Sequence, residues 1–418
     1  MKRKSLFSKE KTLAIAFAYV GIITGAGLAT GQEILQYFVS FGRIGIIGLV
    51  CISILHMVIG SWVLSLASYH QTSNHVEGLE SIASPWLAKV LDWILSFSCF
   101  VMCFVLVAGA GSTFQQQFGT PAWVGSLICA LLILGISYLD FDKVTAALGF
   151  FTPILLVMIS LGLIVTLFQG GIDWSSNFAM ARELHSAIPN IWLSILNYFA
   201  LCLVTAISMF FVLGGQVMGL ENAKYGGAIG GFLAGFVSLL VGILLYTKVD
   251  LVGYEAVPMQ SLMQAIHPAL GFIMFVLIFG MIFNTGISVA YALGKRIAGD
   301  NERRFKTWVM PLICTLAFIL SFAGFSELVS IMYPILGYIG IVLVGLIIIA
   351  WWKDRQAMSL EEEIRQSVYH LLTKRQDPDQ TMVRRDVKNL KQLVKDSKAD
   401  NQQILEQVQE IVDRQTEE

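Results

Sequence analysis

Charge is scarce in this chain of 418 residues: 14% are Asp, Glu, Lys or Arg, against 56% hydrophobic, with a mean hydropathy of +0.70. A soluble multidomain enzyme cannot be covered by so little polar surface, so most of the chain is expected in lipid. Cationic excess is absent as well. The net charge is -1 and the pI about 6.6, which gives no broad electropositive field and argues against nucleic acid as a partner. The six cysteines, Cys51, Cys99, Cys103, Cys129, Cys202 and Cys314, all fall in apolar runs, which excludes a disulfide framework of the secreted kind. Cys99 and Cys103 share a helical face, but no histidine or second cysteine pair accompanies them, so no metal is expected. The six histidines are scattered, and HExxH, GxSxG and GxxxxGK[ST] are all missing. Neither an enzyme nor an organic cofactor is therefore expected.

What is there is apolar sequence in long windows. A hydrocarbon core of about 30 Å needs about 20 apolar residues per helix. Ten windows of that kind lie near 12–40, 44–69, 87–111, 121–139, 144–168, 190–213, 225–247, 268–294, 306–323 and 328–352. Windows this long cannot be barrel strands, which makes the fold an all-α polytopic bundle. Residues 1–11, with Lys2, Arg3 and Lys4, precede a window too long for a secretory signal, so a retained first span is expected. If the N-terminus is cytoplasmic, thirteen Lys/Arg of the N-terminus and loops fall inside, against Arg43, Arg182 and Lys248 outside. An even number of spans then returns the C-terminus to the cytoplasm. Two outer segments, 169–189 and 248–267, are long enough for structure of their own. In the second, a short amphipathic helix from Met259 to Ile266 could cap an outward-facing cavity.

Residues 353–418 form a different regime, holding 26 of the 57 charges. Asp377-Pro378-Asp379 divides this tail into two helices. From 383 to 411 heptads can be traced, with Val387, Val394, Asn401 and Val408 at a and Val383, Leu390, Ser397, Ile404 and Ile411 at d. Such a pattern suits a parallel coiled-coil homodimer. It equally suits an amphipathic helix folded back on 359–373 or laid on the membrane.

The first window is chemically the richest. Gly21, Gly25, Gly27 and Gly31 stand there with Thr24, Thr30, Gln32 and Glu33. Each glycine weakens a helix by roughly 1 kcal/mol relative to alanine, so a cluster near mid-membrane predicts an interrupted helix. A break frees amides that suit a carboxylate and carbonyls that suit a cation. The competing explanation is close helix packing, the expected role of Gly226, Gly227, Gly230, Gly231 and Gly235 in the seventh window. Glu33, ionisable and inside a span, should face a cavity. There it could carry a coupling proton or accept amides at the break; if the span ends early it is an interfacial residue. Asn284, Thr285 and Ser288 on the eighth span could complete a sodium shell, or bond back to their own helix. Tyr198 and Cys202, with Asn197, are the mid-span irregularities of span six.

The run Gly25-Ala-Gly-Leu-Ala-Thr-Gly-Gln-Glu33, followed by Phe38 and Phe41-Gly42, resembles the opening signature of the YkvI family of bacterial membrane proteins. Ala108-Gly-Ala-Gly-Ser-Thr-Phe-Gln-Gln-Gln-Phe-Gly119 is similar to that family's third-span motif. The resemblance covers 12–352. It implies a distant branch of the amino acid, polyamine and organocation transporters, with a LeuT-like five-plus-five inverted repeat and broken helices one and six. Carried onto this chain, it implies carbonyls of Gly21 and Thr24 toward a sodium ion, closed by Asn284, Thr285 and Ser288. It implies Gly25, Ala26 and Gly27 toward a solute, with Tyr198 and Cys202 opposite. Gln116 stands where an acidic residue is expected. The expected function is a cation-coupled secondary transporter, using Na+ or H+, of a small amino-acid-like solute in the bacterial plasma membrane. The alternative is a transporter-fold sensor that signals through its tail.

Overall fold

The computed structural model describes residues 6–138, 151–299, 301–377 and 380–417. The basic residues Lys2, Arg3 and Lys4, the start of the fifth window and Pro378-Asp379 lie outside them. All regular structure among the described residues is helical. In chain order the helices are α1 (Lys9–Ile23), α2 (Ala26–Thr30), α3 (Gln32–Tyr37), α4 (Arg43–His70), α5 (His75–Ile82), α6 (Pro85–Phe118), α7 (Ala122–Ile136), α8 (Phe151–Gln169) and α9 (Trp174–Ala181). They continue with α10 (Ile191–Gly215), α11 (Leu220–Tyr246), α12 (Val249–Val252), α13 (Pro258–Ile266), α14 (Pro268–Ala298), α15 (Glu302–Ala323), α16 (Phe325–Gln376), α17 (Arg384–Asp396) and α18 (Asn401–Glu417). Eight of these, α4, α6, α8, α10, α11, α14, α15 and α16, are long and apolar enough to cross a membrane. Two further apolar stretches, the 15-residue α7 and the interrupted α1–α3 segment, are shorter in helix.

Small residues set how closely the helices pack, because lipid offers no hydrophobic drive between them. The glycine row of α11 serves both its neighbours. Gly226 and Gly230 lie against Ile15, Ala16 and Tyr19 of α1, while Gly227, Gly231 and Gly235 lie against Gly60, His56 and Ser53 of α4. Packing is therefore their role, as expected for the seventh window. Between α1, α4 and α10, Tyr19 stacks on Phe210 at 4.4 Å and hydrogen-bonds His56 Nδ1 at 3.1 Å.

A broken sixth helix is not what the chain forms. α10 runs unbroken through 25 residues from an Asn190 N-cap whose side chain accepts from the amides of Trp192 and Leu193. The cause is local: no glycine or proline interrupts it before Gly214. Asn197 is used for packing instead. Its Nδ2 donates to the carbonyl of Pro334 in α16 at 2.9 Å, and its amide fills the space beside Gly337.

The tail takes the folded-back form, one of those that its heptads allow. α16 continues without interruption from its apolar half into the charged segment, across residues 352 and 353. The heptads do not share one helix, because the chain turns at Ser397–Asp400 between α17 and α18. Four heptad residues, Leu390, Val394, Ile404 and Val408, are buried with Leu6, Met218, Val368, Tyr369 and Leu372 in a core within the same chain. Folding back on 359–373 is thus what satisfies the apolar stripe, and pairing two chains through 383–411 would require that core to open. Val383 and Val387 remain exposed.

Arg365 fastens this core to the bundle. Its side chain is 0% exposed. It donates to Glu361 at 2.7 Å and to the carbonyls of Ser68, Met218 and Tyr69. Glu361 in turn accepts from Ser397 Oγ and the amide of Lys398, so the turn between α17 and α18 is held by the same pair. Leu6 joins the same core, and its amide donates to Gln366. Both termini therefore sit at one end of the bundle.

Candidate functional site

The first segment is interrupted twice. At Thr24 the chain leaves α1 with φ -75° and ψ 70°, and Gly25 is extended at φ -88° and ψ -170°. The amide of Gly25 bonds Ile23 rather than Gly21. The carbonyls of Gly21 and Ile22 consequently accept no backbone amide across the break, and the first amides of α2 have no carbonyl one turn back. The second interruption, at Gly31, was not expected. Its φ of +80° is left-handed, a conformation that glycine adopts without penalty, and Met259 packs where a side chain would project.

Glu33 lies in the first turn of α3 and is 8% exposed. Its carboxyl turns back onto α2 and occupies the space where a Cβ on Gly27 would stand. Tyr198 donates to its Oε2 at 3.2 Å. Tyr333 stands near the same carboxyl. The hydroxyl of Tyr333 is buried and closes no hydrogen bond. Glu33 is neither interfacial nor a cap for the break, and no ion pair to it exists among the described residues. Tyr37 packs tilted and Phe38 edgewise on the Tyr198 ring, at 5.3 and 5.2 Å, and Tyr37 donates to Asn197.

The break opens on a cavity of about 140 Å³. That is close to the ~150 Å³ in which an engineered apolar cavity takes a benzene ring, so the space suits a small organic molecule rather than a lone ion. Gly25, Ala26, Gly27, Glu33, Cys202 and Thr285 line it, as do Tyr333, Ser98, Cys99, Thr205 and Ser208 among the polar groups. The apolar wall includes Leu95, Met102, Leu106, Leu201 and Val289. On α6, α10 and α14 these residues lie in the middle and toward the end that carries the termini.

Of the expected solute residues, Gly25, Ala26, Gly27 and Cys202 are therefore together at one cavity, with Tyr198 behind Glu33. The ion candidates are less well gathered. Thr285 reaches the cavity, whereas Gly21, Thr24, Asn284 and Ser288 do not line it. Thr24 Oγ1 donates to Val20 and Ser288 Oγ to Asn284, both back into their own helices. Tyr333 is the functional residue that sequence reading missed. The available signal was a tyrosine set directly before a helix-interior proline, Pro334.

The far end of the break is covered by α13, near the helix expected from Met259 to Ile266. Gln116 of the third-span motif brackets Val257, donating to its carbonyl at 3.0 Å and accepting from its amide at 3.2 Å, and also bonds Ser261. Gln260 donates to Thr113 and Gln117. A neutral glutamine is suited to this place because it donates and accepts at once.

No protein-family model matches the chain. It is similar to the membrane protein YkvI of Bacillus subtilis (strain 168), 26% identical over 344 residues that span 81% of this chain and 95% of YkvI. It is also similar to YyaD of the same organism, 22% identical over 340 residues, 80% of this chain and 96% of YyaD. Among solved structures it is similar to Mhp1 in its inward-facing conformation, with a TM-score of 0.56 at 11% identity over 99% of this chain and 96% of that one. MhsT in complex with L-phenylalanine gives a TM-score of 0.59 at 14% identity over 94% and 96%. At such identities the likeness is one of fold, the LeuT-like fold that the glycine-rich motifs implied.

Proposed function

We propose that the protein is a cation-coupled secondary transporter of a small, amino-acid-like solute, working by alternating access around the break in its first segment. The observation that supports this most is the unwound Thr24–Gly25 stretch opening on a partly polar cavity within an apolar helical bundle. Broken helices with free amides and carbonyls at mid-membrane are how secondary transporters hold solutes and ions. In this reading Gly25, Ala26, Gly27, Tyr198, Cys202 and Tyr333 serve the solute. Na+ would use the open Gly21 carbonyl with Thr24, Asn284, Thr285 and Ser288; H+ would use Glu33. Ten crossings in a five-plus-five arrangement, with both termini cytoplasmic in a bacterial plasma membrane, agree with the Lys/Arg bias. With α13 over the far end, the cavity then faces the cytoplasmic half.

A second reading, a sensor that binds solute and signals through the tail, is favoured by one observation: Arg365 ties the tail core to the ends of α4 and α10. Uptake of a labelled amino-acid panel into proteoliposomes, with and without Na+ and pH gradients, separates the two. Gradient-driven accumulation supports the transporter, while binding without accumulation overturns it and supports the sensor.

A further inference from the structure

The cavity is asymmetric in charge. Glu33 is the one acidic side chain lining it, and no lysine, arginine or histidine does so. A carboxylate left alone among apolar walls costs several kcal/mol unless a cation or donors meet it. The structure supplies one donor directly, Tyr198 on Oε2. The other oxygen, Oε1, lies over Gly27, and Gly27 itself lines the cavity. Beside the carboxyl stands the buried Tyr333 hydroxyl, within reach of Glu33 but without a hydrogen bond of good geometry, and Tyr333 is also part of the lining. Its oxygen is therefore open to a donor from the cavity.

We propose that the anchoring group of the solute is a protonated amine, with Glu33 as its counter-ion and Tyr333 as a second contact. This rests on the cavity being the solute site of the transport reading. A primary ammonium carries three donors and no acceptor. Glu33 Oε1 takes one of them and the Tyr333 oxygen a second. The carbonyl of Ile22, which lines the cavity and is left without an amide donor by the break, is an acceptor for the third. The body of the solute lies against Leu95, Met102, Leu106, Leu201 and Val289 and is limited by the volume to about the bulk of one six-membered ring. A carboxylate on the solute finds no cationic side chain among the described residues, only the free amides at the start of α2, so the amine is the required group and the carboxylate adds a neutral contact at most. The site thus selects small amines with an apolar body, whether or not they are amino acids.

The test uses matched probes that differ by one group: L-leucine, isoamylamine, which lacks its carboxylate, and 4-methylpentanoate, which lacks its amine. A second set is L-phenylalanine, phenethylamine and 3-phenylpropanoate. Binding to the purified full-length chain is read by calorimetry and by thermal shift. Both members of a set that carry the amine should bind within about tenfold of each other, and the acid should not bind. Glu33→Gln should weaken amine binding at least 100-fold and Tyr333→Phe about 3- to 10-fold, with size-exclusion profiles unchanged. If the amino acid and the acid bind but the amine does not, the amine assignment is overturned while a solute site remains. If the amine binds with equal strength to Glu33→Gln, Glu33 is not its counter-ion and the assignment fails. If no member of either set binds the wild-type chain, both the assignment and the amino-acid-like reading fail.

Discussion

Gly27→Ala isolates the site from the fold. The added methyl falls on the carboxyl of Glu33, the end of a flexible side chain, so the α2 backbone need not shift to accept it. Alanine is also the better helix former by about 1 kcal/mol, which leaves net stability nearly unchanged. What must move is the carboxyl. Turned away, it loses the 3.2 Å bond from Tyr198 and its place over the cavity. A hydrogen bond to a charged group contributes about 1.5–3 kcal/mol, which corresponds to a roughly 10- to 150-fold loss in the binding constant. Gly345→Ala in α16 is the matched control, since a Cβ there meets nothing within 4 Å. Proteoliposome uptake with the solute found in the panel, alongside thermal unfolding, reads both quantities. The expected result is a Gly27→Ala protein that unfolds near the wild-type temperature and has lost most of its solute affinity, while Gly345→Ala retains it. Wild-type affinity in Gly27→Ala would refute the placement of Glu33 in the solute site.

Other consequences follow from the terminal end. Arg365→Met leaves buried Glu361 and three backbone carbonyls without their donor. Removal of one partner from a buried pair costs about 3–5 kcal/mol. A lower unfolding temperature and faster proteolysis between α16 and α17 are expected; unchanged protease resistance would show that Arg365 does not hold the tail. His75, on α5 outside the spans, is held below its usual 6.5 by burial and by Arg296, against the opposing pull of Asp92. A lowered histidine favours its neutral form in the folded chain, so its contribution is present above about pH 6.5 and is lost as pH falls through its folded value. Unfolding temperatures from pH 5 to 8 should therefore fall less steeply on the acid side for His75→Asn than for wild type. Identical slopes would discount the His75–Asp92–Arg296 cluster.

Much of the bundle was legible because hydropathy windows and small-residue rows are local signals. The Gly25–Gly27 cluster marked the break, the α11 glycines marked a packing face, and the polarity of residues 258–266 marked a capping helix. Other features depend on what lies opposite. Tyr333 reaches the cavity only through the rotation of α16 about its own axis, which a sequence does not state. The second interruption at Gly31 depends on Met259, more than two hundred residues away. The heptads left more than one form of the tail open, and the sequence holds a physical reason for the folded-back one: Ser397 and Asn401 put polar residues at consecutive core positions. There the chain bends, and Glu361 binds the bend.

Native cysteines allow the pocket itself to be tested. Cys99, partly exposed, and Cys202, buried, line the cavity, whereas Cys51, partly exposed like Cys99, does not. Alkylation of the purified chain by N-ethylmaleimide can be followed peptide by peptide by mass spectrometry, with and without saturating solute. A solute seated at the helix break should slow modification of Cys99 and Cys202 several-fold and leave the rate at Cys51 unchanged. Equal rates at Cys99 and Cys202 with and without a solute known to bind would place that solute elsewhere and contradict a binding site built on the break.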